Sequence, residues 1–245
     1  MPAESPTILA TSGGLRRGSW TDVEFSALVL HAIELSGVTG RAPRLCCVGT
    51  AGGDQRWFQG WLSAAGQAQG ITVTHLSLFS MPNADDMTGL LLSQDVVWVG
   101  GGSVANLLAV WRLHGLDESL RQAWQAGVVL GGVSAGSICW HVGGTTDSFG
   151  PDLRPVTNGL GFLPYSNGVH YDAEEQRRPL FQKLIADGTL PGGYATDDGT
   201  GLVYHGTDLT ETVTEIRGKG TYRVAVDGGE VREERIEPRV LPGAA

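Results

Sequence analysis

A chain of 245 residues, 41% hydrophobic and 18% charged, is long enough to bury a core without disulfides or metal and too apolar for disorder. Its formal net charge of −9 and pI near 5.1, with no Lys/Arg cluster, argue against nucleic acid and leave small molecules or peptides as partners. The three cysteines, Cys46, Cys47 and Cys139, give neither a disulfide framework nor zinc spacing. No apolar run approaches the roughly 18 residues of a membrane span and no leader pattern opens the chain, so a soluble, cytoplasmic protein is expected.

Short apolar, β-branched runs alternate with longer stretches of helical period. Thr7 to Ala10 reads as a strand, and Val23, Ala27, Leu30 and Ile33 mark a helix between Asp22 and Leu35. Strand Arg44 to Gly49, helix Gln55 to Gln69, strand Ile71 to Leu78 and a short helix from Asp85 to Leu92 follow. Strand Asp95 to Val99 runs into Gly100-Gly101-Gly102, then come helices Val104 to His114 and Asp117 to Ala126 and strand Val128 to Gly131. This alternation predicts a mostly parallel sheet with helices on both faces, an α/β three-layer sandwich whose ligands sit beyond the carboxyl ends of the strands. After Ser148, the runs Tyr194 to Tyr204, Leu209 to Ile216 and Thr221 to Val226 read as antiparallel additions at a sheet edge. With no linker or repeat, residues 1–245 read as a single domain; the sequence leaves homo-oligomerisation open.

Gly132-Val133-Ser134-Ala135-Gly136 satisfies G-x-S-x-G between a strand and the apolar pattern Ile138, Cys139, Trp140, the context of a nucleophile elbow. A serine at the apex of so sharp a turn is crowded by both elements, which leaves room only for very small residues two positions away. Its hydroxyl needs a base, and the base needs an orienting group. Of the six histidines, His31, His75, His114 and His205 fall in helix, strand, helix-end and turn positions, and His141 points down the elbow helix. His170, in the extended stretch Gly168 to Asp172 after a Gly/Pro/Asn-rich loop, can reach the carboxyl edge of the sheet and is the best base. The run Gly100-Gly101-Gly102 lacks the register of a phosphate loop, and its backbone can turn an N–H toward a reacting carbonyl. No ligand spacing such as H-E-x-x-H occurs, so neither metal nor cofactor is expected.

Taken in order, Val99-Gly-Gly-Gly-Ser103, Leu107-Leu108, Gly132-Val-Ser-Ala-Gly-Ser137, Thr145-Thr146-Asp147 and Val169-His170 resemble the peptidase E (aspartyl dipeptidase) family of serine peptidases, related to cyanophycinases. The resemblance spans Leu45 to about Tyr204. It implies a flavodoxin-like or class I glutamine-amidotransferase-like fold, Ser134 as nucleophile, His170 as base, Asp147 as acid, and an oxyanion hole from the Gly102 and Ala135 amides. Asp172, at the His-x-acid spacing of glutamine amidotransferases, is a rival acid, and so is the pair Asp197 and Asp198 in a Thr-Asp-Asp-Gly turn, although capping is the ordinary role there. Ser103 stands where the family commonly has Asn, and Gly52-Gly53-Asp54-Gln55 reads as a helix cap. The family's preference for dipeptides beginning with Asp implies a cation for that carboxylate, with Arg154, Arg177 and Arg178 as candidates beside Ser103 in substrate contact. A small peptide is therefore the expected substrate. A cyanophycinase-like amide or ester hydrolase is the enzymatic alternative, and a catalytically silent binding protein on the same fold the alternative of another class.

Overall fold

Side chains alternate along each short apolar run, so one row of strands can feed two cores. The computed structural model describes residue 3 and residues 5–244. The chain runs β1 (Thr7–Thr11), β2 (Leu15–Arg17), β3 (Val23–Phe25), α1 (Ala27–Leu35), β4 (Arg44–Val48), α2 (Arg56–Gln69), β5 (Thr72–Leu76), α3 (Met87–Leu92), β6 (Val96–Val99), α4 (Val104–His114), α5 (Leu116–Gln125) and β7 (Val129–Val133). It continues through α6 (Ala135–Ile138), β8 (His141–Thr146), β9 (Arg154–Val156), β10 (Leu163–Gly168), α7 (Arg177–Ala186), β11 (Gly193–Thr196), β12 (Thr200–His205), β13 (Asp208–Thr214), β14 (Thr221–Asp227), β15 (Glu230–Ile236) and β16 (Arg239–Val240).

Among the described residues the large sheet has the order β16-β13-β12-β1-β7-β6-β4-β5, with β1, β7, β6, β4 and β5 mutually parallel as expected. Ile8, Cys46, Val48, Val97, Val99 and Leu130 point to the core under α4 and α5, beside Leu107, Trp111 and Leu120. Their neighbours Leu9, Leu45, Cys47, Val96, Trp98 and Val129 point the other way, against Leu28 and Ala32 of α1 and Leu62 of α2. Both faces are thus covered, and the strands need no polar positions.

The later half differs from expectation. Strands β12 and β13 do extend the large sheet antiparallel, but β15-β14-β11-β10-β8-β9 form a second sheet, covered by α7. The expected strand Tyr194 to Tyr204 breaks at Asp197-Asp198-Gly199. Gly199 turns with φ +77° and its N–H donates to Ser12 O at 2.8 Å, so β11 stays in the second sheet while β12 joins the first. The elbow helix is also short. Trp140 O accepts from Leu163 N–H at 3.0 Å and the chain passes directly into β8, so α6 ends at Ile138. Residues Val23 to Phe25, read as helix, pair instead with β2 in a small hairpin.

Trp111 on α4 is fully buried, stacks at a tilt on Trp140 with ring centroids 6.0 Å apart, and donates Nε1–H to Thr50 Oγ1 at 3.1 Å. Trp111→Ala should cost about 3–5 kcal/mol in denaturant unfolding. The control Trp20→Ala, at a side chain 98% exposed, should stay within about 0.5 kcal/mol.

Candidate active site

Strand β7 delivers Ser134 to the carboxyl end of the large sheet in a strained backbone conformation, φ 57° and ψ −112°. Such a conformation costs on the order of 1–3 kcal/mol and persists only where surroundings hold it. Here Ser134 N–H donates to Thr11 O at 3.1 Å, while Ser134 O accepts from Ser137 and Ile138 at 2.8 and 2.9 Å. The flanking glycines have a steric reason. A Cβ on Gly132 would lie 2.5 Å from Gly136 O and 2.6 Å from Val99 O; one on Gly136 would lie 2.2 Å from Val99 O. The elbow therefore sits against β6 backbone with no room for a methyl group.

His170 lies two residues beyond the end of β10, with φ 52°. Its N–H donates to Ser12 Oγ at 3.0 Å, and the same hydroxyl lies 2.7 Å from Thr196 Oγ1. His170 and Ser134 line one cleft of about 400 Å³ together with Gly102, Ser103, Asp147, Ser148, Glu174 and Arg177. That volume is in the range of small-molecule sites. Among the described residues the Ser134 hydroxyl makes no hydrogen bond and stays free toward the cleft.

The carboxylate against His170 is Asp198, whose Oδ1 stands 2.5 Å from His170 Nδ1. This corrects the expectation placed on Asp147 and on Asp172. Asp147 follows β8 on another wall of the cleft, with its side chain exposed. Asp172 instead holds the Asp198 loop: its Oδ1 accepts from Asp198 N–H at 2.9 Å and its Oδ2 pairs with Lys219 Nζ. Burial would raise the Asp172 pKa, but the Lys219 ammonium and the Asp198 amide outweigh it and hold the carboxyl below its usual range. The other member of the turn pair, Asp197, points inward and accepts from Gly220 N–H at 2.8 Å and Tyr222 OH at 3.2 Å. Topology explains the pairing. Gly168 of β10 lies opposite Ala195 of β11 in a parallel pair, so residues 170 and 198 leave adjacent strand ends. Chain order along the sequence carries no trace of that adjacency.

Gly102 has φ +134°, and a Cβ there would lie 2.3 Å from Ala51 O, so the loop after β6 needs glycine to pack on the 50–52 turn. Among the described residues, neither Gly102 N–H nor Ala135 N–H donates to another protein group. Ser103 caps α4, its Oγ accepting from Asn106 N–H at 3.2 Å.

Of the arginines expected to meet substrate, only Arg177 lines the cleft. It is 3% exposed and already engaged: Nε and Nη2 donate to Glu174 at 2.8 and 3.0 Å, and Nη1 donates to Thr145 O at 2.9 Å. Arg178 pairs with Glu233 and lies over the rings of Tyr171 and Tyr222, at 5.4 and 5.0 Å, outside the cleft. Arg154 is an exposed residue of β9 that does not line the cleft. The other histidines serve elsewhere. Buried His141 donates Nδ1–H to Ser137 O at 2.9 Å, and burial pulls its pKa down to about 4, so it stays neutral. Among the described residues no group of three or more His, Cys, Asp or Glu could hold a metal ion, and no helix is long and apolar enough to cross a membrane.

Residues 11–212 match the model of peptidase family S51. The uncharacterized peptidase YgaJ of Bacillus subtilis (strain 168) is 42% identical over 81% of this chain and 85% of its own. Peptidase E of Shewanella denitrificans is 27% identical over 58% of this chain and 63% of its own. A crystal structure of a peptidase from an acI-B1 Actinobacterium shares the fold, with a TM-score of 0.69 at 17% identity over 97% of this chain and 96% of that one. A match across most of the chain, with a relative at this identity, settles its membership: the chain belongs to peptidase family S51 and is a serine peptidase.

Proposed function

We propose that the chain hydrolyses short peptides through a Ser134–His170–Asp198 triad and an acyl-enzyme. The observation that carries this reading is the 2.5 Å contact between His170 Nδ1 and Asp198 Oδ1 beside the cleft that Ser134 shares. Asp198 keeps the proton on Nδ1, which leaves the other ring nitrogen free to take the Ser134 proton as Oγ attacks the carbonyl. The Gly102 and Ala135 amides, free of protein acceptors, receive the oxyanion. His170 then returns its proton to the leaving amine, and a water activated by the same ring releases the acyl group. Asp172 and Lys219 act through Asp198, by fixing its loop.

A preference for an N-terminal Asp, implied by the family resemblance, finds limited support in the cleft. Among the described residues Arg177 is the one guanidinium lining it, and it is already paired with Glu174, while Asp147 lines the same cleft. Our reading therefore keeps small peptides as the substrate class and does not rest on an acidic first residue.

Ser134→Ala should lower kcat/KM by roughly 10³-fold or more while leaving the unfolding midpoint near the parent's. Activity within tenfold of the parent, measured as amino-acid release from a dipeptide panel, would sink the nucleophile assignment. Asp198→Asn should lower kcat by roughly 10²–10⁴-fold with little change in KM, since the acid acts on the imidazolium formed in the transition state. Asp147→Asn should keep kcat within about tenfold. The reverse ranking at saturating substrate would return the acid's role to Asp147.

A further inference from the structure

A second pocket, of about 230 Å³, shares the Gly100-Gly101 segment with the active-site loop. Its walls are Trp98 and Val133 from the large sheet, Trp57, Phe58 and Leu62 from α2, and Leu15 from the β2–β3 hairpin. Trp57, 57% exposed, sits edge-on to Phe58 and Trp61 with ring centroids 5.6 and 4.6 Å away, so aromatic surface continues outward from the pocket. Gly101 connects it to the nucleophile. A Cβ on Gly101 would lie 3.4 Å from Ser134 Cβ and 4.0 Å from Ser134 Oγ, so the absence of a side chain there leaves the way open.

The orientation of the reaction says which part of a substrate this pocket faces. His170 must protonate the leaving amine, so the amine side of the scissile bond lies toward His170. Among the described residues, neither His170 nor Asp198 lines the second pocket, which adjoins Ser134 through Val133 and Gly101 instead and is placed to serve the other side of the scissile bond. Its chemistry is as selective as its position. Among the described residues no Lys or Arg lines it, the carboxylate in its wall belongs to Asp54, which is 6% exposed, and burial pulls the pKa of its partly buried His75 down, away from the cationic form. Asp54 Oδ2 accepts from Leu78 and Phe79 N–H at 2.6 and 3.0 Å, while Oδ1 has no partner among the described residues. An acidic side chain would meet no cation here and a like charge in the wall. The volume is below the roughly 300–1,000 Å³ of sites that take a whole small ligand, and suits one large side chain.

We propose that this pocket holds the side chain of the residue whose carbonyl Ser134 attacks, and that it selects an apolar side chain of the Leu or Phe kind. The proposal rests on Ser134 being the nucleophile, and its test separates the two. Aminoalkyl diphenyl phosphonates carrying the side chain of Ala, Leu, Phe, Lys or Asp form a Ser134 Oγ–P bond and release phenol, so mass spectrometry of the intact protein gives the rate for each side chain. Diisopropyl fluorophosphate, which has no such side chain, serves as the reference reagent. The Leu and Phe reagents should react roughly 10–200-fold faster than the Ala reagent, the span a few methylenes confer in an apolar pocket, and Asp should be slowest. Leu15→Trp, which fills the pocket, should bring the Leu and Phe rates down to the Ala rate. Phe58→Ala, which widens it, should lower the Leu-to-Ala ratio. Equal rates for Ala, Leu and Phe, or a lead for Lys or Asp, overturn the pocket assignment while Ser134 stands. Failure of the fluorophosphate to label Ser134 in the parent overturns the nucleophile and the pocket together.

Discussion

The carboxyl end of β1 is where the site is assembled. Thr11 O accepts the Ser134 amide, and the next residue, Ser12, receives the His170 amide on its hydroxyl while touching Thr196. The last residue of β1 and the residue after it thus hold Ser134 of the large sheet and His170 delivered by the second sheet. Ser12 O accepts a further amide, from Gly199, which fixes the turn that carries Asp198. A backbone anchored this way costs no side-chain freedom at the reacting groups, which stay free to work.

That anchoring explains how the fold tolerates its strain. Ser134 and His170 both have positive φ, a region that residues with a side chain rarely occupy. Each such residue costs on the order of 1–3 kcal/mol, and the surroundings must over-determine it. For Ser134 the surroundings are β1, β6 and the first turn of α6; for His170 they are Ser12 and the Asp198 carboxylate. Among the described residues, two of the three non-glycine residues with positive φ, Ser134 and His170, stand where the two sheets meet at the cleft, and the third, Asp54, lies in the loop after β4.

The elbow and the alternation of strands with helices were legible because both are local: the glycines around Ser134 answer to one strand and one turn. The position of His170 at the cleft was legible from its place in an extended stretch after a loop. Asp198 was not, because its partnership with His170 follows from the parallel pairing of β10 with β11 and from a chain break between two sheets. Spacing along the chain favours Asp147 or Asp172, and the second of these does contribute, as the residue that holds the Asp198 amide. The arginines show the same limit. Arg177 and Arg178 are adjacent in sequence, yet one turns into the cleft toward Glu174 and the other packs outward on Tyr171 and Tyr222. The apolar pocket was equally hidden, since its walls come from a hairpin, a helix and four strands of the large sheet that meet only in the fold.

The central claim is that Asp198 holds the Nδ1 proton of the catalytic imidazole. Proton NMR of the diisopropylphosphoryl adduct of Ser134, formed from diisopropyl fluorophosphate with loss of fluoride, reads that proton directly, with nitrogen-15 histidine to assign the signal. The account predicts a strongly downfield Nδ1–H resonance from His170 in the parent and in Asp147→Asn, and its loss in Asp198→Asn. A resonance that persists in Asp198→Asn and disappears in Asp147→Asn would contradict it.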